Sequence, residues 1–126
     1  MPSDVEMKSA LQKYLDGLNR GNAEAIIALF ADHARIEDPV GGEEIVKEKE
    51  AITAFYQRAV EVVDRLELDS PIRGSHGQSA AMAFTIYMEQ EETLARTRAI
   101  DVMTFDDVGK IIDMKAYHGP GDVSEG

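Results

Sequence analysis

One aspartate stands out by its neighbours. In the run from Leu94 to Asp106, strand alternation puts Ala99, Asp101, Met103 and Phe105 on one face. Arg96, Arg98, Ile100, Val102 and Thr104 take the other. Asp101 therefore shares an apolar stripe while the arginines point away. A carboxylate in such a stripe is costly unless it is paired or protonated. Burial raises a carboxyl pKa by disfavouring the charged form. A neutral carboxylic acid can donate a hydrogen bond, which an ionised one cannot. Three readings of Asp101 stay open: exposed, structural, or a functional acid. Tyr14 is a milder case, because a tyrosine on an apolar helix face usually packs its ring and sends its hydroxyl to a partner. Asp38 precedes Pro39, and Asp-Pro commonly opens a turn.

The elements that must position these residues are legible. Ser3-Asp4-Val5-Glu6 reads as a capping box. Met7, Leu11, Tyr14, Leu15 and Leu18 then mark one face of an α-helix. Gly21 suits the left-handed position that ends it, and Asn22 can cap a second helix running through Phe30. Ala34 to Asp38 reads as a short strand stopped by Pro39, followed by a Gly-rich turn. Residues 43–49 are charged apart from Ile45 and Val46. A third helix is expected from Glu48 to Val63, with Ile52, Phe55, Tyr56, Ala59 and Val63 inward. The remainder reads as strands: Arg65–Ile72, Ser79–Glu89, Leu94–Asp106 and Lys110–Tyr117. The turns between them are Gly74–Gly77, Gln90–Glu92 and Asp106–Gly109. The tail from Gly119 is polar and expected to be loose. Helices first and strands after point to an α+β fold. A curved sheet wrapped around the helices would enclose a pocket.

Parity nominates the walls of that pocket. Met82, Phe84, Ile86 and Met88 share one face of their strand. Met114, Ala116 and His118 share one face of the last strand. Together with Ala99, Met103 and Phe105 they would line a broad apolar cavity. The alternative for each is plain core packing, where methionine is a common gap-filler.

The bulk composition narrows the classes. A chain of 126 residues predicts one domain spanning residues 1–126. There is no cysteine, so disulfides, thiolate metal sites and cysteine nucleophiles are excluded. The lack of cysteine makes a reducing compartment the default. The acidic start carries no apolar targeting segment, and no apolar run reaches the roughly 18 residues of a membrane span. A cytoplasmic protein is expected. The formal net charge of −11 repels phosphate backbones, so nucleic acid is a poor partner. No metal or phosphate motif is present, and no cofactor is expected.

Read together, several segments resemble the bacterial ketosteroid isomerases of the nuclear transport factor two-like (SnoaL-like) superfamily. They are QKYLDGLNRGN at 12–22, IIALFADHARIEDPVGG at 26–42, AITAFY at 51–56, AAMAFTIYM at 80–88, AIDVMTF at 99–105 and GKIIDMKA at 109–116. The resemblance runs over residues 5–119, and EDPVG together with the placed tyrosine and second aspartate is its most specific part. It implies a conical fold in which three N-terminal helices pack on a curved sheet around a deep apolar pocket. It also implies a homodimer packed through the sheet's outer face and an apolar, steroid-like ligand. That family combines an aspartate base with an oxyanion hole of one tyrosine and one protonated aspartic acid. By motif, the resemblance assigns Asp38 as the base, with Tyr14 and Asp101 as the oxyanion hole. Tyr56 matches a tyrosine that orients Tyr14, or is a packed helix aromatic.

The chain departs from the pattern in places. The segment 42–49 is one residue longer than the family pattern, and Lys49 replaces a usual helix-start glycine. Phe30 stands where some relatives carry a tyrosine, and His118 where relatives carry a large aromatic. Rival activities of the same fold have their own requirements. A dehydratase would need a histidine paired with an aspartate in the pocket, and only His118 has inward parity. An epoxide hydrolase would need an inward arginine, and Arg96 and Arg98 have the wrong parity. A polyketide cyclase can also use one aspartate base. A binding module would not need Asp38, Tyr14 and Asp101 to converge.

Overall fold

The computed structural model describes residues 1–90 and 92–125. The chain opens with α1 (Asp4–Arg20), capped as expected. The Ser3 hydroxyl accepts from Glu6 N at 3.1 Å, and the Glu6 carboxylate accepts from Ser3 N at 2.9 Å. Gly21, at φ 66°, ends the helix in the left-handed conformation that a side chain would oppose. The buried stripe of α1 includes Met7, Leu11, Tyr14, Leu15 and Leu18.

The next helix, α2 (Ala23–Ile27), is shorter than its apolar pattern suggests. Phe30, expected at its end, instead begins strand β1 (Phe30–Glu37). Sheet pairing overrides helix periodicity there: Phe30 lies opposite Ile111 and is 2% exposed. A short edge strand, β2 (Ile45–Lys47), pairs antiparallel with β1 inside the charged stretch. Its side chains are exposed or half-buried, so its apolar pattern was too weak to announce it. Helix α3 (Glu48–Val62) follows at once. Lys49 Nζ donates to Ile27 O at 3.0 Å and Phe30 O at 3.2 Å, joining the start of α3 to the α2–β1 junction.

Then come β3 (Val63–Leu68), β4 (Ser79–Gln90), β5 (Thr93–Phe105) and β6 (Ile111–Tyr117). β3 stops four residues short of the expected Ile72, although Arg73 still bridges Ala81. Glu91, in the expected turn between β4 and β5, lies outside the described residues. The sheet order is β2-β1-β6-β5-β4-β3. Among the described residues only the β1–β6 pairing is parallel, so the sheet is mixed. Register shifts in the β1–β6, β3–β4 and β5–β6 pairings are the irregularities that bend a sheet. The α+β expectation of three helices packed on a curved mixed sheet is borne out.

The tail is more ordered than its composition suggested. A 3₁₀ turn (Pro120–Asp122) leads into β7 (Val123–Glu125), which pairs with Ala95–Thr97 of β5. Gly126 lies outside the described residues. Backbone pairing, which needs no apolar side chains, holds this segment. No helix among the described residues is long and apolar enough to cross a membrane.

One side chain joins the helical layer to the sheet edge. Asn19 donates from Nδ2 to Leu66 O at 3.1 Å and accepts from Leu66 N at 2.7 Å. It pairs with the β3 backbone as another strand would. Asn19→Ala leaves both backbone groups dependent on water and is expected to lower stability by about 1–3 kcal/mol. Urea unfolding measures this, and an unchanged midpoint would show that the pairing contributes nothing.

Candidate active site

The site is built where α1 and α3 cross the inner face of the sheet. α1 supplies Tyr14, which is 4% exposed, and α3 supplies Tyr56, which is 1% exposed. The Tyr56 hydroxyl donates to the Tyr14 oxygen at 2.9 Å, leaving the Tyr14 proton free to turn elsewhere. The two rings meet edge to face at 5.7 Å between centroids. Phe30 packs on Tyr56 at 5.4 Å but has no hydroxyl, so it cannot extend the hydrogen-bond chain. Burial holds both phenols well above the usual tyrosine range, and the nearby acidic groups act the same way.

β5 supplies Asp101, flanked by Met82 of β4 and Ala116 of β6. Asp101 is 2% exposed, and its Oδ1 has no hydrogen-bond partner among the described residues. Of the readings the sequence left open, exposure is removed. Burial, with Asp38 adding to it, holds the Asp101 carboxyl well above the ordinary aspartate range. The neutral form is favoured, and it is a hydrogen-bond donor.

Asp38 follows β1 and precedes a cis Pro39. Val40 N donates to Ala116 O at 2.8 Å, tying this turn to β6. The Asp38 carboxylate is half-buried and in contact with His118, with Oδ1 2.9 Å from Nε2. This pairing was not anticipated. Parity turned His118 inward, but nothing in the sequence joins two residues 80 apart. It meets the condition set for a dehydratase, a histidine and an aspartate together in the pocket.

Tyr14, Asp38, Asp101 and His118 line one cavity, whose apolar wall includes Phe84, Ile86, Ala99 and Ala116. Leu18 and Leu66 complete it and were not nominated. Leu18 was findable, since it sits one helical turn beyond Tyr14 on the same face. The cavity measures about 50 Å³. That is far less than the few hundred Å³ of a typical ligand pocket. A larger hollow of about 570 Å³ shares Ala99 and His118 with it but is lined also by Ala83, Arg98, Ile100 and Tyr117, which face the other side of the sheet.

The nominated methionines are not at this cavity. Met82, Met103 and Met114 are 0–1% exposed, and so is Phe105; all four pack the core. They share inward parity with Asp101 but lie where the helices press on the sheet. Met88 is half-buried opposite Val63 and Ala95, away from the cavity. Arg96 and Arg98 are exposed, so no arginine enters the cavity from β5.

Asp101 makes a signed prediction. Its folded pKa is raised, so its contribution to stability is fully present below the unfolded value near 4 and is lost as pH rises towards the folded value. Over that window the loss approaches about 1.4 kcal/mol per pH unit. Asp101→Asn cannot ionise, so its stability relative to wild type should climb from pH 4 to pH 7. Urea unfolding across that range reads the difference, and a pH-independent gap would mean that Asp101 is not held neutral.

Comparison with known proteins places this geometry among relatives. A family model for the SnoaL-like domain matches residues 11–114. A steroid Delta-isomerase of Nocardioides simplex is 37% identical over 119 residues, 94% of each chain. An epoxide hydrolase, LasB of Streptomyces lasalocidi, is 27% identical over 98% of this chain and 45% of its own length. The solved structure of the epoxide hydrolase/cyclase-like enzyme SalBIII, studied in pyran ring formation in the polyether salinomycin, superposes over the whole of both chains. Its TM-score is 0.89 and its sequence identity 26%. By the matched domain and the extent of these similarities, this chain belongs to the SnoaL-like family.

Proposed function

We propose that the chain isomerises β,γ-unsaturated 3-ketosteroids to their conjugated isomers by moving one proton within the substrate. The observation carrying this reading is that the half-buried Asp38 carboxylate lines one small apolar cavity with the buried Tyr14 and Asp101, whose burial favours their neutral, hydrogen-bond-donating forms. Similarity to a steroid Delta-isomerase over nearly the whole chain supports it.

Asp38 takes the proton between the carbonyl and the alkene. The electron pair moves to the carbonyl oxygen and gives a dienolate. Tyr14 and Asp101 donate hydrogen bonds to that oxygen as its charge grows, which lowers the barrier most where water is excluded. Asp38 returns the proton two carbons further on, and the double bond enters conjugation. The base is regenerated, so no cofactor is required. A ligand of steroid size has to displace lining side chains such as Leu18, Leu66 or Ile86.

A second reading is favoured by the likeness to two proteins named for epoxide chemistry. There Asp38 would take a proton from a hydroxyl or water attacking an epoxide carbon. Tyr14 or Asp101 would protonate the departing oxygen, replacing the inward arginine that the cavity lacks. An epoxy alcohol as substrate separates this reading from the first by its product.

The test follows conjugated-enone absorbance with 5-androstene-3,17-dione. Wild type should turn over, Asp38→Asn should lose about 10²–10⁴-fold in rate, and Tyr14→Phe about 10²–10³-fold. Wild type without turnover would sink the steroid reading, and turnover undiminished in Asp38→Asn would remove Asp38 as the base.

A further inference from the structure

We infer that His118 is a positioning residue for Asp38, holding Oδ1 through the Nε2 proton so that Oδ2 alone carries the substrate proton. The inference rests on the isomerase reading above. Its ground is the contact of Nε2 with Oδ1 at 2.9 Å, beside the same cavity as Tyr14 and Asp101.

A free aspartate carboxylate has a broad χ2 and presents either oxygen to its surroundings. A proton shuttle between two carbons gains from one fixed oxygen, because orientation is a large part of the barrier. Among the described residues, His118 is the side chain that ties Asp38 down. The neighbouring backbone is committed elsewhere: Pro39 has no N–H, Val40 N bonds Ala116 O, and Gly41 N bonds Glu37 Oε2 at 3.1 Å. Oδ1 accepts from Nε2 both when the carboxylate is ionised and when Oδ2 carries the proton. The contact therefore persists through the cycle, and Oδ2 remains the reacting atom.

His118 is itself held at both ends. It follows Tyr117, which pairs with Ile100. It precedes a turn closed by Gly119 N to Asp122 Oδ2 at 2.7 Å and Asp122 N to Gly119 O at 3.0 Å. β7 then clamps the chain back onto β5. The polar tail thus acts as a brace for the imidazole.

The test compares His118→Phe, which keeps a ring without a donor, with His118→Gln, whose amide nitrogen reaches a similar depth. His118→Phe should lose about 10- to 100-fold in kcat, the rate equivalent of one hydrogen bond to a charged group. KM should stay within about threefold, since a lost orienting contact acts on the transition state. His118→Gln should recover most of kcat, because the role needs an N–H and not proton transfer by the imidazole. Nitrogen-15 NMR of the imidazole should show a protonated Nε2 in wild type and a changed pattern in Asp38→Ala. Unchanged kcat in His118→Phe, an effect on KM alone, or failure of His118→Gln to rescue would overturn the inference. So would imidazole signals indifferent to Asp38→Ala. If wild type fails to isomerise the steroid, the isomerase reading falls by itself, and the imidazole spectra still decide whether Nε2 holds Asp38.

Discussion

Asp101 Oδ1 is sealed from water without a hydrogen-bond partner among the described residues, and that condition shapes its surroundings. A carboxyl group so placed is stable only while it is neutral. Neutrality needs a dry sheet face, and Asp101 is buried together with Tyr14 of α1 and Tyr56 of α3. It also needs no cation near enough to draw the proton off, and Arg96 and Arg98 face the opposite side of the strand. With Tyr14 held protonated by the same burial, the cavity presents two donors. A ligand that satisfies them must bring an acceptor oxygen, and one that gains negative charge satisfies them best.

The two carboxyl groups differ by environment. Asp101 lies on an interior strand with Met82 and Ala116 beside it. Asp38 leaves the end of β1, reaches solvent, and has His118 as partner. One carboxyl is thereby suited to give a hydrogen bond and the other to take a proton. Environments that push two acids apart are how one site holds an acid and a base together. The small residues Ala99 and Ala116 line the same wall, leaving space where larger side chains would close the cavity.

Tyr14 and Asp101 were legible because periodicity reports burial: one fell on the apolar face of a helix, the other on the apolar parity of a strand. Parity does not say which part of a buried face is covered by helices and which borders a cavity. Met82, Met103, Phe105 and Met114 therefore joined Phe84 and Ala99 on equal terms, although only the latter two border the cavity among the described residues. Phe30 satisfied a helix pattern and a strand pattern alike, and its pairing opposite Ile111 decided between them. β2 and β7 are held by backbone hydrogen bonds, which leave little trace in side-chain type. The His118–Asp38 contact spans the whole sheet in sequence and depends on how β1 and β6 align in parallel, which no local pattern encodes.

That parallel pairing also sets what stands behind Tyr14. Tyr56 has one hydroxyl proton and two acceptors near it, the Tyr14 oxygen at 2.9 Å and Met114 Sδ at 3.5 Å. Thioether sulfur is the weaker acceptor, so the proton goes to Tyr14. The chain stops there, because Phe30 offers only a ring. A short chain polarises Tyr14 less than a longer one would. On the proposed isomerase reading, more of the charge developing on a bound oxygen would then fall to Asp101, whose Oδ1 has no hydrogen-bond partner among the described residues. The unpartnered carboxyl and the short tyrosine chain would thus complement each other at the oxygen-binding end that this reading proposes.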